Sequence, residues 1–238
     1  MFDLLVTEEK DRVQFTVNQD LADVLIKDVS WVYTPPKKYY IIVKRVIDIV
    51  CSILTLIILL PFFLFVAIAV FINDPKGCPF FSQVRVGKDG KEFRMYKFRT
   101  MCMDAEEQLD KLQVQNEMNG PVFKIKDDPR VLKIGRFLRA TSIDEFPQLI
   151  NIIKGDMSIV GPRPALPYEV ENYSETDRVR LLAQPGLTCY WQIQPNRNTI
   201  PFEEWMELDR KYITERSILV DIKIIVSTFS TIFKMQGW

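Results

Sequence analysis

The chain has 238 residues, 47% of them hydrophobic, with 31 basic and 31 acidic side chains, four cysteines and no histidine. Without histidine there can be no Ser-His-Asp triad, no Cys-His pair and no imidazole metal ligand, so nucleophilic or acid–base work falls to carboxylates, Lys, Tyr, Ser or Cys. Cys51, Cys78, Cys102 and Cys189 form no Cys-x-x-Cys pair, which argues against a zinc site or disulfide framework and for a reducing, cytosolic setting.

In chain order, residues 1–38 are expected to form a short extension. Residues 1–30 carry seven acidic and three basic side chains, and short alternating runs (Val13, Phe15, Val17) end at Thr34-Pro35-Pro36. From Ile49 to Asn73 there are 25 residues without a charge, about 37 Å as a helix and enough to cross a bilayer. Pro61 at the centre removes a backbone donor and predicts a kink. Lys37, Lys38, Lys44 and Arg45 precede the segment and a basic stretch follows it. The positive-inside rule then puts both flanks in the cytoplasm, which a re-entrant hairpin over 39–73 satisfies and a single crossing does not. Asp48 lies one turn from Lys44 and Arg45 and can pair with them.

The remainder, 74–238, is expected to be a small catalytic domain of α+β type, mostly helical, with amphipathic helices at the membrane surface. Lys76 to Met101 holds seven basic residues, Lys97 and Arg99 among them, against two acidic ones. That field suits phosphates or an anionic membrane, or is an ordinary solvated face. Residues 104–118 favour helix, with Leu109, Leu112 and Met118 on one side. A turn at Asn119-Gly120-Pro121, an apolar run from Val122 to Ile125 and a turn at Asp127-Asp128-Pro129 follow. Ile143, Phe146, Leu149, Ile150 and Ile153 keep a helical period and Gly155 is placed as a stop, predicting a helix over 143–153. The last apolar stripe, Ile218 to Phe233, fits core or membrane interface equally.

The densest chemistry lies between Arg130 and Pro164. Arg130, Lys133, Arg136 and Arg139 recur every third residue and lead to a predicted helix start at Ser142-Ile143-Asp144-Glu145, a cationic setting for anions. Ser142 and Glu145 also match a capping box, the structural alternative. Adjacent helical residues diverge by about 100°, so Asp144 and Glu145 suit split roles rather than a shared proton: one attacks phosphorus and the other holds Mg²⁺. Arg139 and Lys97 are candidate clamps for developing charge, and Gly161-Pro162-Arg163-Pro164 is a rigid loop offering one guanidinium to a diphosphate, or an ordinary turn.

Several long runs, in order, resemble the bacterial sugar transferases, the monotopic phosphoglycosyl transferases of the polyprenyl-phosphate hexose-1-phosphate type. They are Lys44-Arg45-x-x-Asp48, PFFSQVRVGKDGKEFRMYKFRTM at 79–101, NGPVFKIKDDPRVLKIGRFLRATSIDEFPQLINIIKGDMSIVGPRPALP at 119–167, PGLTCYWQI at 185–193 and ELDRKYI at 207–213. The resemblance implies an enzyme of the bacterial inner membrane, its catalytic domain on the cytoplasmic face. It would move a sugar-1-phosphate from a UDP-sugar, UDP-glucose or UDP-galactose first, to undecaprenyl phosphate, release UMP and start exopolysaccharide, capsule or O-antigen synthesis. It implies Asp144 as nucleophile, Glu145 with Asp144 as the Mg²⁺ site, and Lys97, Arg99, Arg139, Pro162, Arg163 and Pro164 as substrate contacts. Lys44, Arg45 and Pro61 fall at the membrane and lipid phosphate. No nucleic acid partner is expected, and a homodimer is among the partner expectations. One-step transfer through a ternary complex, or a non-catalytic scaffold of a polysaccharide assembly, are the alternatives. The sequence departs from the family at Cys189, where Gly is usual, and at Pro195-Asn196-Arg197, which puts a ligand role for that loop in question. The larger members carry an N-terminal membrane bundle, which residues 1–38 are not expected to supply.

Overall fold

A computed structural model describes residues 35–233, apart from 113, 115, 117–121, 123, 124, 126, 196 and 198. The expectations for residues 1–34, and most of those for 113–126, lie outside the described residues. Helix α1 runs from Lys38 to Asn73 as one 36-residue helix with Pro61 inside it. An antiparallel hairpin follows, β1 (Phe80–Val86) and β2 (Glu92–Phe98), registered Phe80 to Phe98 and Val86 to Glu92. Its turn uses positive φ at Asp89 and Gly90, the Asp-Gly chemistry of tight hairpins. Of the helix expected over 104–118, Leu109–Leu112 (α2) is present, preceded by turns.

Then come α3 (Lys133–Ala140), a 3₁₀ turn at Ile143–Glu145, α4 (Gln148–Lys154), β3 (Ser158–Val160), α5 (Pro167–Glu171), α6 (Glu175–Arg178), β4 (Gly186–Thr188), α7 (Phe202–Glu215) and α8 (Ile218–Phe233). Strands β3 and β4 pair in parallel. The architecture is mostly helical with two small sheets, α+β as expected, plus one long apolar helix.

The second half of α1 is part of the core. Phe63, Val66 and Val70 pack with Met95 and Phe98 of β2, Leu138 of α3 and Leu149 and Ile152 of α4, and Phe63 meets the Phe98 ring edge-on at 5.7 Å. Elsewhere α1 exposes large apolar side chains, Ile57, Ile58, Leu60 and Phe65 among them, a surface that water does not favour.

Both ends of α1 are tied to the same domain. Near its start, Lys44 Nζ donates to Asp221 of α8 (2.9 Å), Arg45 donates to the carbonyls of Ile152 and Ile153 at the end of α4, and buried Asp48 accepts from Ile159 N (3.0 Å). The pairing expected of Asp48 with Lys44 or Arg45 is thus replaced by a backbone contact, because α4 and α8 satisfy the two cations first. At its far end, Asp74 pairs with Arg99. Tyr40 donates to Asp221 (3.0 Å), and the Tyr212 hydroxyl lies 2.9 Å from the same carboxylate and 3.0 Å from the Val160 carbonyl. Helix α8 turns Ile224 inward and leaves Leu219, Ile222, Val226 and Phe229 exposed, so the last apolar stripe serves the core on one side and offers an apolar surface on the other.

Candidate active site

The two carboxylates do not begin a helix in the way the sequence suggests. Ser142 takes left-handed backbone (φ 56°) and its side chain makes no cap; its N–H donates to Arg139 O (3.1 Å). It therefore terminates α3, and a left-handed residue there is the ordinary stop signal. The capping-box alternative fails for that reason, and Glu145 is released for another partner. The helix predicted over 143–153 is split, because Pro147 supplies no N–H to continue the ladder. What results is a single 3₁₀ turn carrying Asp144 and Glu145, then α4, closed by Gly155 at φ 97°.

Contacts on two sides set this turn against its neighbours. Buried Asn151 of α4 accepts from Tyr96 N (3.0 Å) and donates to Arg94 O (2.7 Å), completing the free edge of β2. That docking brings Lys97, at the end of β2, to Glu145: Nζ to Oε1 is 2.8 Å. On the other side Leu132 N donates to Thr100 O (2.9 Å), and α3 passes so close that a Cβ on Gly135 would stand 2.2 Å from that same oxygen. Arg139, in the last turn of α3, then donates Nε to Thr100 Oγ1 (2.9 Å).

The loop at 162–164 is held by every carbonyl it has. Gly186 N donates to Pro162 O (2.8 Å), Arg180 to Arg163 O (2.9 Å) and Arg85 to Pro164 O (3.1 Å). Two of its three residues are prolines with fixed φ and no donor, so the loop is rigid by composition and by contact. Arg163 reaches Glu169 (3.4 Å) and stacks over Trp205. Arg180, behind it, forms a buried ion pair with Asp209 (2.8 Å).

Electrostatically these parts form one site. Burial pushes Asp144 up to about 7, with Lys97 and Arg139 opposing and Glu145 adding to the rise. Burial acts on Glu145 too, but Lys97, Arg163 and Arg85 outweigh it and hold Glu145 below the usual carboxylate range. Arg197 also faces Glu145 electrostatically. One acid is held ionised and its neighbour is poised near neutrality, the separation expected of two carboxylates with different tasks.

Of the residues singled out from sequence, Asp144, Glu145, Lys97, Arg139 and Arg163 share this field. Arg99 does not join it: its guanidinium is committed to Asp74 and to the carbonyls of Asp74, Gly77 and Cys78, tying down the exit of α1. Lys44 and Arg45 line, with Asp48, a cavity of about 470 Å³ beside the start of α1 whose lining does not include the dyad. Arg85 and Arg197 were not distinguished by sequence; the first was one basic residue among seven, and the second lay in the loop that departs from the family pattern. Among the described residues no group of three or more Cys, Asp or Glu side chains converges. A divalent ion at Asp144 and Glu145 would take its other ligands from phosphates and water, which is how Mg²⁺ is usually held at phosphoryl sites.

The profile for bacterial sugar transferases matches residues 39–235. The chain is 45% identical over 205 residues to the galactosyl transferase CpsE of Streptococcus agalactiae serotype III, covering 84% of this chain and 44% of the relative. It is 39% identical over 202 residues to the undecaprenyl-phosphate galactose phosphotransferase of Salmonella typhimurium, covering 82% and 41%. It is 38% identical over 198 residues to the exopolysaccharide production protein ExoY of Sinorhizobium fredii, covering 82% and 87%. The chain thus spans less than half the length of the first two and most of the third. It belongs to the bacterial sugar transferase family.

Proposed function

We propose that this member of the bacterial sugar transferase family is a membrane phosphoglycosyl transferase. It moves a hexose-1-phosphate from UDP-galactose or UDP-glucose to undecaprenyl phosphate, at the cytoplasmic face of the bacterial inner membrane, as the first membrane step of a polysaccharide. The observation that carries this reading is a carboxylate pair in one 3₁₀ turn, Asp144 buried and Glu145 half-buried, facing cations delivered by β1, β2, α3 and the 162–164 loop.

The ionised Asp144 carboxylate attacks the sugar-bearing phosphorus of the UDP-sugar. An oxygen–phosphorus bond forms to Asp144, the diphosphate bridge breaks and its oxygen leaves with UMP. An oxygen of the lipid phosphate then attacks the same phosphorus, releasing Asp144 and giving the lipid diphosphate sugar. Neither step needs a proton from the enzyme, so the lack of histidine carries no penalty. Arg163 meets the diphosphate from its rigid loop, and Lys97 and Arg139 meet the charge that grows on the transferring phosphoryl oxygens. Asp144 and Glu145 would hold Mg²⁺, which would neutralise phosphate oxygens.

Helix α1 is re-entrant in this reading. What supports this is that Lys44, Arg45 and Asp48 at one end and Asp74 at the other contact the same domain; both ends then lie on one side of the membrane, and the exposed apolar middle around Pro61 dips into it. The exposed face of α8 rests in the interface beside it.

The test is UMP release from a panel of UDP-sugars with undecaprenyl phosphate and Mg²⁺, paired with incubation on labelled UDP-sugar without lipid. Labelled protein that is lost in Asp144→Asn is expected; turnover without labelled protein would support one-step transfer instead. A cysteine placed at residue 37 should be labelled only from the cytoplasmic side.

A further inference from the structure

Arg85 is buried to 7% exposure at the end of β1, yet its hydrogen bonds go only to neutral acceptors, Pro164 O (3.1 Å) and Gln83 Oε1 (2.8 Å). Its Nε has no hydrogen-bond partner, and no ion pair involves it among the described residues. Arg180, which grips the next carbonyl of the same loop, is treated differently: it has Asp209 at 2.8 Å. A guanidinium taken out of water without a carboxylate in direct contact is costly, and negative charge brought by a ligand would offset that cost.

The surroundings show where that charge arrives. The next residue, Val86, donates its N–H to Ala165 O (2.8 Å), so the end of β1 is stitched to the loop by one backbone and one side-chain bond. Arg85 lies close enough to Arg163 and Glu145 to act on both by charge, and burial with Arg163 nearby pushes its own titration down to about 10. Its cation therefore stands behind the loop that offers Arg163 to a ligand, and beside the acid held ionised.

We infer that Arg85 is a positioning residue for diphosphate recognition: it fixes the 162–164 loop through the Pro164 carbonyl and adds, behind Arg163, a positive charge that no direct ion pair consumes. The ligand class is a nucleoside diphosphate, and the inference rests on the diphosphate reading of the site given above. Lysine at 85 keeps the charge, whereas glutamine keeps polarity and loses it. Lysine should therefore rescue what glutamine loses, which a purely structural role would not produce.

The experiment uses the full chain in lipid nanodiscs, with UDP and Mg²⁺ as the binding probe and UDP-sugar turnover as a separate readout. Arg85→Gln should weaken UDP binding and raise KM for the UDP-sugar about tenfold or more while kcat falls less, and Arg85→Lys should keep at least half of the wild-type binding energy. Gln83→Met, which removes a hydrogen-bond partner and no charge, should leave KM within about twofold. Unchanged UDP affinity in Arg85→Gln overturns the inference, as does an equal loss in the Gln and Lys variants with melting temperatures lowered together. If the wild type binds UDP but turns over no UDP-sugar, the transferase reading fails and the UDP arm still judges Arg85. If the wild type does not bind UDP, the Arg85 inference fails.

Discussion

Replacing Asp144 with Asn should abolish UMP release and, at the same time, stabilise the protein. Burial holds Asp144 at about 7 against an ordinary value of 3.8. At about 1.4 kcal/mol per pH unit, keeping it ionised in the fold costs on the order of 4 kcal/mol. The sign follows from proton linkage. Between pH 3.8 and about 7 the folded state binds more protons at this site than the unfolded state, so stability falls as pH rises. The cost is absent below 3.8 and complete above 7. Asparagine resembles the neutral acid and never incurs it. Thermal unfolding of wild type and Asp144→Asn, in nanodiscs with EDTA to keep the site free of divalent ions, should differ by roughly 10 °C at pH 8. At pH 5 the gap should shrink to about a third. A gap independent of pH, or a less stable Asn variant, would refute the assignment of Asp144 as a desolvated carboxylate.

Lys97→Met should reduce UMP release by about 10²- to 10³-fold, since it removes the charge proposed to meet the phosphoryl oxygens and leaves Glu145 without its 2.8 Å partner; steady-state kinetics with UDP-sugar in excess checks this, and a loss below threefold would contradict it. Gly135→Ala places a methyl 2.2 Å from a backbone oxygen, so denaturant unfolding should show about 1–3 kcal/mol of destabilisation, with impaired turnover as Arg139 shifts; wild-type stability would show that α3 does not depend on that close approach. Arg180→Met leaves Asp209, 1% exposed, as an unpaired buried carboxylate and should cost about 3–5 kcal/mol by the same measurement, while the double variant Arg180→Met/Asp209→Leu should recover most of it. Equal stability of single and double variants would mean the pair is not coupled.

How much of this could be read in the sequence varies with the kind of signal. The long apolar run gave α1, and helical period with Gly155 gave the end of α4. The Asp144-Glu145 pair among basic residues stood out because histidine was missing. What local pattern could not supply was direction. Ser142 followed by Glu145 reads as a helix start, but whether Ser142 stops one helix or opens another depends on a left-handed backbone angle that α3 imposes. Arg99 and Arg85 look alike in a basic stretch; one is consumed at the end of α1 and the other reaches the 162–164 loop, a difference set by the strand register and by where residues 164–165 pair. Asn151 carried no signal at all, since its role is to complete the edge of a strand more than 50 residues earlier.

The carboxylate of Asp221 joins the long apolar helix to the strand that leads into the 162–164 loop. It receives Lys44 and Tyr40 from α1 and lies against Tyr212, whose hydroxyl also touches the carbonyl of Val160. Val160 directly precedes Gly161 and the 162–164 loop. One carboxylate therefore ties the start of α1, and through Tyr212 the end of α7, to the residue from which that loop departs, so these elements share a single buried polar junction.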